Sequence, residues 1–370
     1  MKQKLDKHTW PYQFRRMPWL LLIPVGLWIP RLAGRYPLAA EWYAGHIYPT
    51  ISGILGAVSG LLPFSLAEVA ICAVILGAVG AIIFYLVRWH RRRIPFLRLV
   101  SLLLTLAIIG GVLLNSFYLI WGFNYARPSL YELLDLPVQE RPVEELQALC
   151  QALCTEAVAL RSQVAEDTSG VYTLPHGWRV AFADIPQAYE ALGQKLPVFA
   201  RRVRPAKGLM ASVGMSYAGL AGIYIPFTAE ANVNVHQPTL LLLSSAAHES
   251  AHYLGVAKED EANFVAYLAC MESDDPAVAY SGVMLALIHA TNKLDQAEPA
   301  AFMAVRKTYS EGMVRDILAY NAYWESYEGA VEEAVTEIND TYLKHNQQGS
   351  GVKSYGLMVD LLLAWYFQGV

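Results

Sequence analysis

Residues 239–263 read TLLLLSSAAHESAHYLGVAKEDEAN, and the reading of this stretch organises the rest of the chain. The run up to Ala247 is apolar or small, without Gly or Pro, and favours a largely buried helix over residues 239–254. On such a helix His248 and His252 lie one turn apart on one face, so both imidazoles can reach a single ion. Glu249 sits beside them, where a carboxylate can take a proton from water held by that ion. Ala251 keeps the space between the two histidines narrow. Gly255 follows the second histidine by three residues and is suited to end the helix and turn the chain. HExxH alone is a short pattern, and it is this setting that gives it weight.

A hydrolytic zinc site takes a third protein ligand and leaves a fourth position open. The acids of Lys258-Glu259-Asp260-Glu261-Ala262-Asn263 open the next helix. There they also complement the helix dipole, which is their ordinary structural role. In zincins with a glutamate ligand, that residue is often followed four positions later by an Asp that orients a ligand histidine. Glu259 and Asn263 match the spacing, with Asn in place of Asp; an amide oxygen still accepts an imidazole N–H but adds no charge. Glu259 is therefore the preferred third ligand and Glu261 the alternative. Lys258 occupies the position where a metzincin would carry a histidine.

Upstream, Gly222-Ile223-Tyr224-Ile225-Pro226-Phe227 reads as a strand that Pro226 would confine to a sheet edge. An edge strand can bind an extended peptide by strand addition, or it can simply flank the helix. Glu230 and Asn232 are placed either to line that cleft or to cap a turn. Tyr355, which opens the last predicted helix after a Gly-rich loop, is the candidate donor to a developing oxyanion. His176, His236, His289 and His345 lack ligand spacing and are read as surface or structural.

The chain of 370 residues is 55% hydrophobic and 16% charged, with a net charge of −4, which excludes a disordered protein. That mean conceals a split: residues 1–122 carry +9 and residues 123–370 carry −13. No basic domain remains for nucleic acid. Four cysteines are too few for a disulfide framework. Segments near 17–32, 64–87 and 99–120 are long and apolar enough to be read as membrane spans, the first broken by Pro18, Pro24 and Pro30. Residues 47–62 are Gly-rich and weakly apolar, and are left as an interfacial, re-entrant or span-extending piece. Lys2, Lys4, Lys7, Arg15 and Arg16 precede the first span, and RWHRRRIPFLR (88–98) joins the second to the third. The positive-inside rule then puts the N-terminus inside and residues 123–370 outside the cytoplasmic membrane. Glu68 is read as an interfacial or structural acid.

Helical periodicity is expected over 144–167, 186–199, 239–254, 259–271, 277–292, 299–320, a segment ending near 345, and 354–367, with strand and loop over 209–234. The fold class is thus a mainly α membrane protein: an anchor over 1–122, then a zincin-like, predominantly helical α+β domain over 123–370.

Several further pieces point the same way: Pro63-Phe64-Ser65 with Glu68, Trp121-Gly122-Phe123-Asn124-Tyr125, Gly222-Ile223-Tyr224 through Glu230-Ala231-Asn232-Val233-Asn234, and Ser354-Tyr355-Gly356 with Asp360. With the His248–His252 motif and Glu259–Phe264, they resemble a bacterial membrane-anchored family of HExxH zinc metallopeptidases catalogued as a domain of unknown function. The resemblance implies three N-terminal spans, a Zn2+ cofactor and a last helix that belongs to the catalytic unit. The expected activity is hydrolysis of a peptide or protein substrate by metal-activated water. The other readings are a non-catalytic zinc-binding sensor or scaffold anchored to the bilayer, and a transporter, for which paired repeats are missing.

Overall fold

The computed structural model describes residues 9–91, 96–345 and 355–368. Lys2, Lys4, Lys7, Arg92, Arg93 and Gly349–Gly351 lie outside the described residues. The chain forms two compact units, Met1–Ile51 with Leu66–Arg127, and Ser52–Ser65 with Pro128–Val370. They cross the boundary expected at 122/123: residues 52–65 leave the first unit for the second, and residues 123–127 stay with the first.

In the first unit, Leu66–Val87 and Phe96–Ile120 are helices long and apolar enough to cross a membrane. The segment expected to span near 17–32 is not one straight helix. It runs as Trp10–Phe14, a 3-10 turn Met17–Leu21 and Leu22–Ala33, then bends by 102° into Pro37–His46. Pro24 and Pro30 are accommodated within Leu22–Ala33, and the sharp bend falls after Ala33, just ahead of Pro37, which opens the next helix. Leu22–Ala33 packs closely on Phe96–Ile120 because glycines meet there. A Cβ on Gly26 would lie 2.7 Å from the Leu114 side chain, and one on Gly111 would lie 2.9 Å from Leu22. Asn115 Nδ2 donates to Leu22 O and Gly111 O, both at 2.7 Å, so the contact combines small residues with a polar bridge. Arg16 donates to Ser101 and Thr105 of the same long helix.

The second unit resolves the segment over 47–62. It is a helix, Tyr48–Ser59, and from Ser52 onward it belongs to the large unit. Gly56 lies under the Tyr253 ring, Ser52 Oγ accepts from Arg201 at 2.7 Å, and Lys207 Nζ donates to Ser59 O and Phe64 O.

The core of this unit is helical. The motif helix Thr239–Tyr253 packs against Glu259–Met271 and Pro276–Ala297, and the last of these also packs on Val143–Arg161. Leu243, Ala246, Ala247 and Ala251 are fully buried, as an all-round apolar helix must be. The last helix, Tyr355–Tyr366, packs on Glu259–Met271 and Pro276–Ala297, with Met358, Val359 and Leu361 fully buried. The helix expected over 299–320 is two, Pro299–Arg306 and Glu311–Glu325. Ser310 caps the second, its Oγ accepting from Met313 N. The strand-and-loop region contains one short helix, Ser212–Tyr217, and a three-stranded sheet. Its strands β1 (Lys207–Gly208), β2 (Gly222–Ile225) and β3 (Glu230–Val233) lie in the order β1-β3-β2, with β1 parallel and β2 antiparallel to β3.

One buried ion pair knits four segments together. Asp316 accepts from Arg161 Nε at 2.5 Å, Tyr280 Oη at 2.8 Å and Tyr172 N at 2.8 Å, and it is 1% exposed. Burial beside this carboxylate pushes the Tyr280 hydroxyl up. Asp316→Ala would strip Arg161 of its buried counter-ion and leave only the more exposed Glu166 carboxylate, 2.9 Å from Nη1, at a cost of about 3 kcal/mol. A clearly lowered thermal midpoint of the purified full-length protein is the expected outcome; an unchanged midpoint would contradict this assignment.

Candidate metal centre

The end of the motif helix builds the site. Gly255 adopts φ +93°, which an L side chain rarely tolerates. Its N–H donates to His252 O at 2.9 Å and that of Val256 to Ala251 O at 3.2 Å, the two bonds of a Schellman stop. The same turn brings the Val256 carbonyl to His252 Nδ1 at 2.7 Å. A carbonyl only accepts, so Nδ1 carries the proton and the Nε2 lone pair faces outward. His248 is oriented likewise, Nδ1 bonding Asn263 Oδ1 at 2.7 Å.

Both Nε2 atoms face one carboxylate. His248 Nε2 lies 3.1 Å from Glu259 Oε2, and His252 Nε2 lies 3.7 Å from Glu259 Oε1. The ligand atoms of the three residues all fall within 4.8 Å of one another. Two lone pairs aimed at a carboxylate repel unless a cation, proton or metal, stands among them. Bonds of about 2.1 Å in tetrahedral geometry separate ligand atoms by roughly 3.4 Å, a value that the two His–Glu separations of 3.1 and 3.7 Å bracket. In the metal-free chain, burial opposes the charge on His252, yet Glu259 pushes its pKa up to about 9. Burial likewise opposes the Glu259 carboxylate, but the imidazoles hold it below the usual carboxylate range.

Glu249 is 5% exposed, and its Oε2 has no hydrogen-bond partner. Burial raises its pKa, against the pull of the two imidazoles. Its carboxylate lies against β2: a Cβ on Gly222 would sit 2.5 Å from Glu249 Oε1. The backbone N–H of Tyr224, on the same strand, helps hold the charged form.

Of the two acids weighed for the third ligand position, the structure brings Glu259 to the imidazoles. Glu261 is engaged elsewhere, its Oε1 accepting from Leu130 N at 2.8 Å and Lys258 Nζ at 3.0 Å. Strand β2 does lie at the sheet edge, and Ile223 is 39% exposed. Pro226 is not the reason, because it lies in the turn after Ile225, where Ala229 N donates back to its carbonyl. Glu230 and Asn232 are used within the sheet rather than at its edge. Glu230 Oε1 accepts from Lys207 Nζ at 2.6 Å, and Asn232, fully buried, donates to Glu230 O. Tyr355 is the first residue of the last helix, and its side chain lies outside the described residues.

Sequence reasoning missed two contributors, the Val256 carbonyl and the missing Cβ of Gly222. Neither leaves a side-chain signature. His289, read from the sequence as surface or structural, lies close enough to His248 that burial and that imidazole lower its pKa to about 4.

The glycine contact is testable by double substitution. Gly222→Ala should destabilise the protein by about 1–3 kcal/mol through overpacking, and the effect should shrink on a Glu249→Ala background, where the space is free. Additive melting shifts in the double variant would contradict the contact.

No curated protein and no solved structure matches this chain. One family does, over residues 43–363, a stretch that takes in the second unit's candidate metal centre and both long apolar helices. The chain belongs to the family described as "Protein of unknown function (DUF3810)".

Proposed function

We propose that this protein is a membrane-tethered zinc metallopeptidase whose hydrolytic domain, zincin-like in plan, lies outside the cytoplasmic membrane. The observation that carries the proposal is the convergence of His248 Nε2, His252 Nε2 and the Glu259 carboxylate, with Glu249 alongside. Two imidazoles and one carboxylate are a hydrolytic zinc set, with a position left open for water. Zinc bound there would polarise the scissile carbonyl and make hydroxide available near neutral pH.

The chain's own residues supply the rest. Asn263 Oδ1 and the Val256 carbonyl hold the imidazole tautomers, so both rings present Nε2. Glu249 is the general base: its unpartnered Oε2 is the atom that takes the proton from the attacking water. A carboxylate raised by burial is better matched to proton transfer near neutral pH than an exposed one. Gly222 allows β2 to approach that carboxylate, and β2 offers an exposed sheet edge to an extended peptide.

Purified full-length protein should hold about one zinc per chain. Glu249→Gln should keep the metal and lose peptide hydrolysis by about 100-fold or more. Metal content should fall sharply in Glu259→Gln and stay normal in Glu261→Gln, measured by elemental analysis after dialysis. Full hydrolytic activity of Glu249→Gln would sink the mechanism. For the orientation, protease added to cells with a permeabilised outer envelope should digest the domain over 128–370; its protection there would reverse the topology.

A further inference from the structure

The second unit contains a partly open cavity of about 280 Å³, walled by the 59–63 segment, by Trp178–Phe182, by β1 and its approach, and by β3. Its charged lining residues are Arg179, Arg204, Lys207 and Glu230. Lys207 is fully engaged, donating to Glu230 Oε1 at 2.6 Å and to Ser59 O and Phe64 O. That pair is neutral, which leaves two guanidinium charges uncompensated. Neither Arg179 nor Arg204 has a carboxylate partner among the described residues.

Both arginines are exposed, and each guanidinium rests against a neighbouring surface. Arg179 stacks over the Trp178 ring at 4.2 Å. Arg204 lies on a glycine face of the helix Tyr48–Ser59 and the residue after it: a Cβ on Gly60 would sit 2.9 Å from its Nη1, and one on Gly56 would sit 3.5 Å from its Nε. Gly208 does the same for the indole, since a Cβ there would fall 2.5 Å from the Trp178 ring. The wall beside the cations is apolar, with Phe182, Leu62 and Pro63.

We propose that this cavity binds a phosphate group, with Arg179 and Arg204 as its ligands. One carboxylate is saturated by a single guanidinium in a two-pronged contact, whereas a phosphate presents tetrahedral oxygens to two guanidiniums at once. The apolar wall suits a phosphate that carries a hydrocarbon portion. Pro63 precedes by three residues Leu66, where the first long apolar helix begins, so a phospholipid headgroup is the nearer of two sources and free phosphate the other. None of the lining residues is His248, Glu249, His252 or Glu259.

The test uses the full-length protein in detergent. Native mass spectrometry would titrate phosphatidylglycerol against diacylglycerol, which lacks the phosphate. Thermal melts would be recorded with inorganic phosphate against chloride at equal ionic strength. Wild type should prefer phosphatidylglycerol, Arg179→Gln/Arg204→Gln should weaken that binding about 10-fold, and Arg202→Gln, outside the cavity, should not. This pattern supports a headgroup. A phosphate-specific rise in melting midpoint, lost in the double variant and without a lipid preference, supports free phosphate. Circular dichroism checks folding, and Arg179→Gln alone serves if the double variant is unfolded. Equal binding of both lipids with no phosphate-specific melt shift, or unchanged binding in the arginine variants, overturns the proposal.

Discussion

Two imidazole lone pairs and a carboxylate are aimed at one point beneath the protein surface, and that constraint shapes the second unit. His248 and His252 lie on one face of a helix whose other sides are buried against apolar neighbours. Glu259 reaches them from the first turn of the next helix, at 3.1 and 3.7 Å. Such groups do not stay together in a low-dielectric setting without a cation. The surrounding helices supply the rigidity that holds them in place despite this cost.

The turn between the two helices has two tasks. Gly255, at φ +93°, ends the motif helix, and the Val256 carbonyl that the turn delivers sets the His252 tautomer. Helix termination and ligand orientation are therefore one structural event. The sheet contributes on the other side, where Gly222 allows the backbone of β2 to lie against the Glu249 carboxylate. A side chain at either glycine would disturb the centre without touching a histidine.

Much of this was legible in the residues. The i, i+4 spacing of His248 and His252, the acids beginning at Glu259 and the stop at Gly255 are local patterns, and local patterns survive into structure when they lie on a regular helix. The helix over 259–271 appears with the expected bounds. Less was legible where the decision was not local. Hydropathy reads the 17–32 segment as a span, but the chain there is a 3-10 turn followed by Leu22–Ala33, and after Ala33 it bends by 102° into Pro37–His46. Residues 47–62 have no periodicity strong enough to assign them. From Ser52 onward they belong to the large unit, where Gly56 and Gly60 fit against Tyr253 and Arg204, residues far away in sequence. The break before Glu311 turned on the Ser310 cap, a weak signal inside an otherwise helical pattern.

By itself the sequence determined that the chain carries long apolar helices near 64–87 and 99–120, that its charge is divided between a basic front and an acidic remainder, and that two histidines share one helical face with a glutamate beside them. These follow from composition and from the helical repeat, which need no knowledge of distant contacts. Only the tertiary structure decided which acid joins the histidines, because Glu259 and Glu261 are equivalent as residue types and differ only in neighbours. Glu261 is held by Leu130 N, 131 positions away in the chain, and Glu259 faces the imidazoles. It also took Glu230 out of the cleft, by pairing it with Lys207. Long-range partners of this kind leave no trace in local spacing, so the choice between chemically equal side chains is made only when the chain folds.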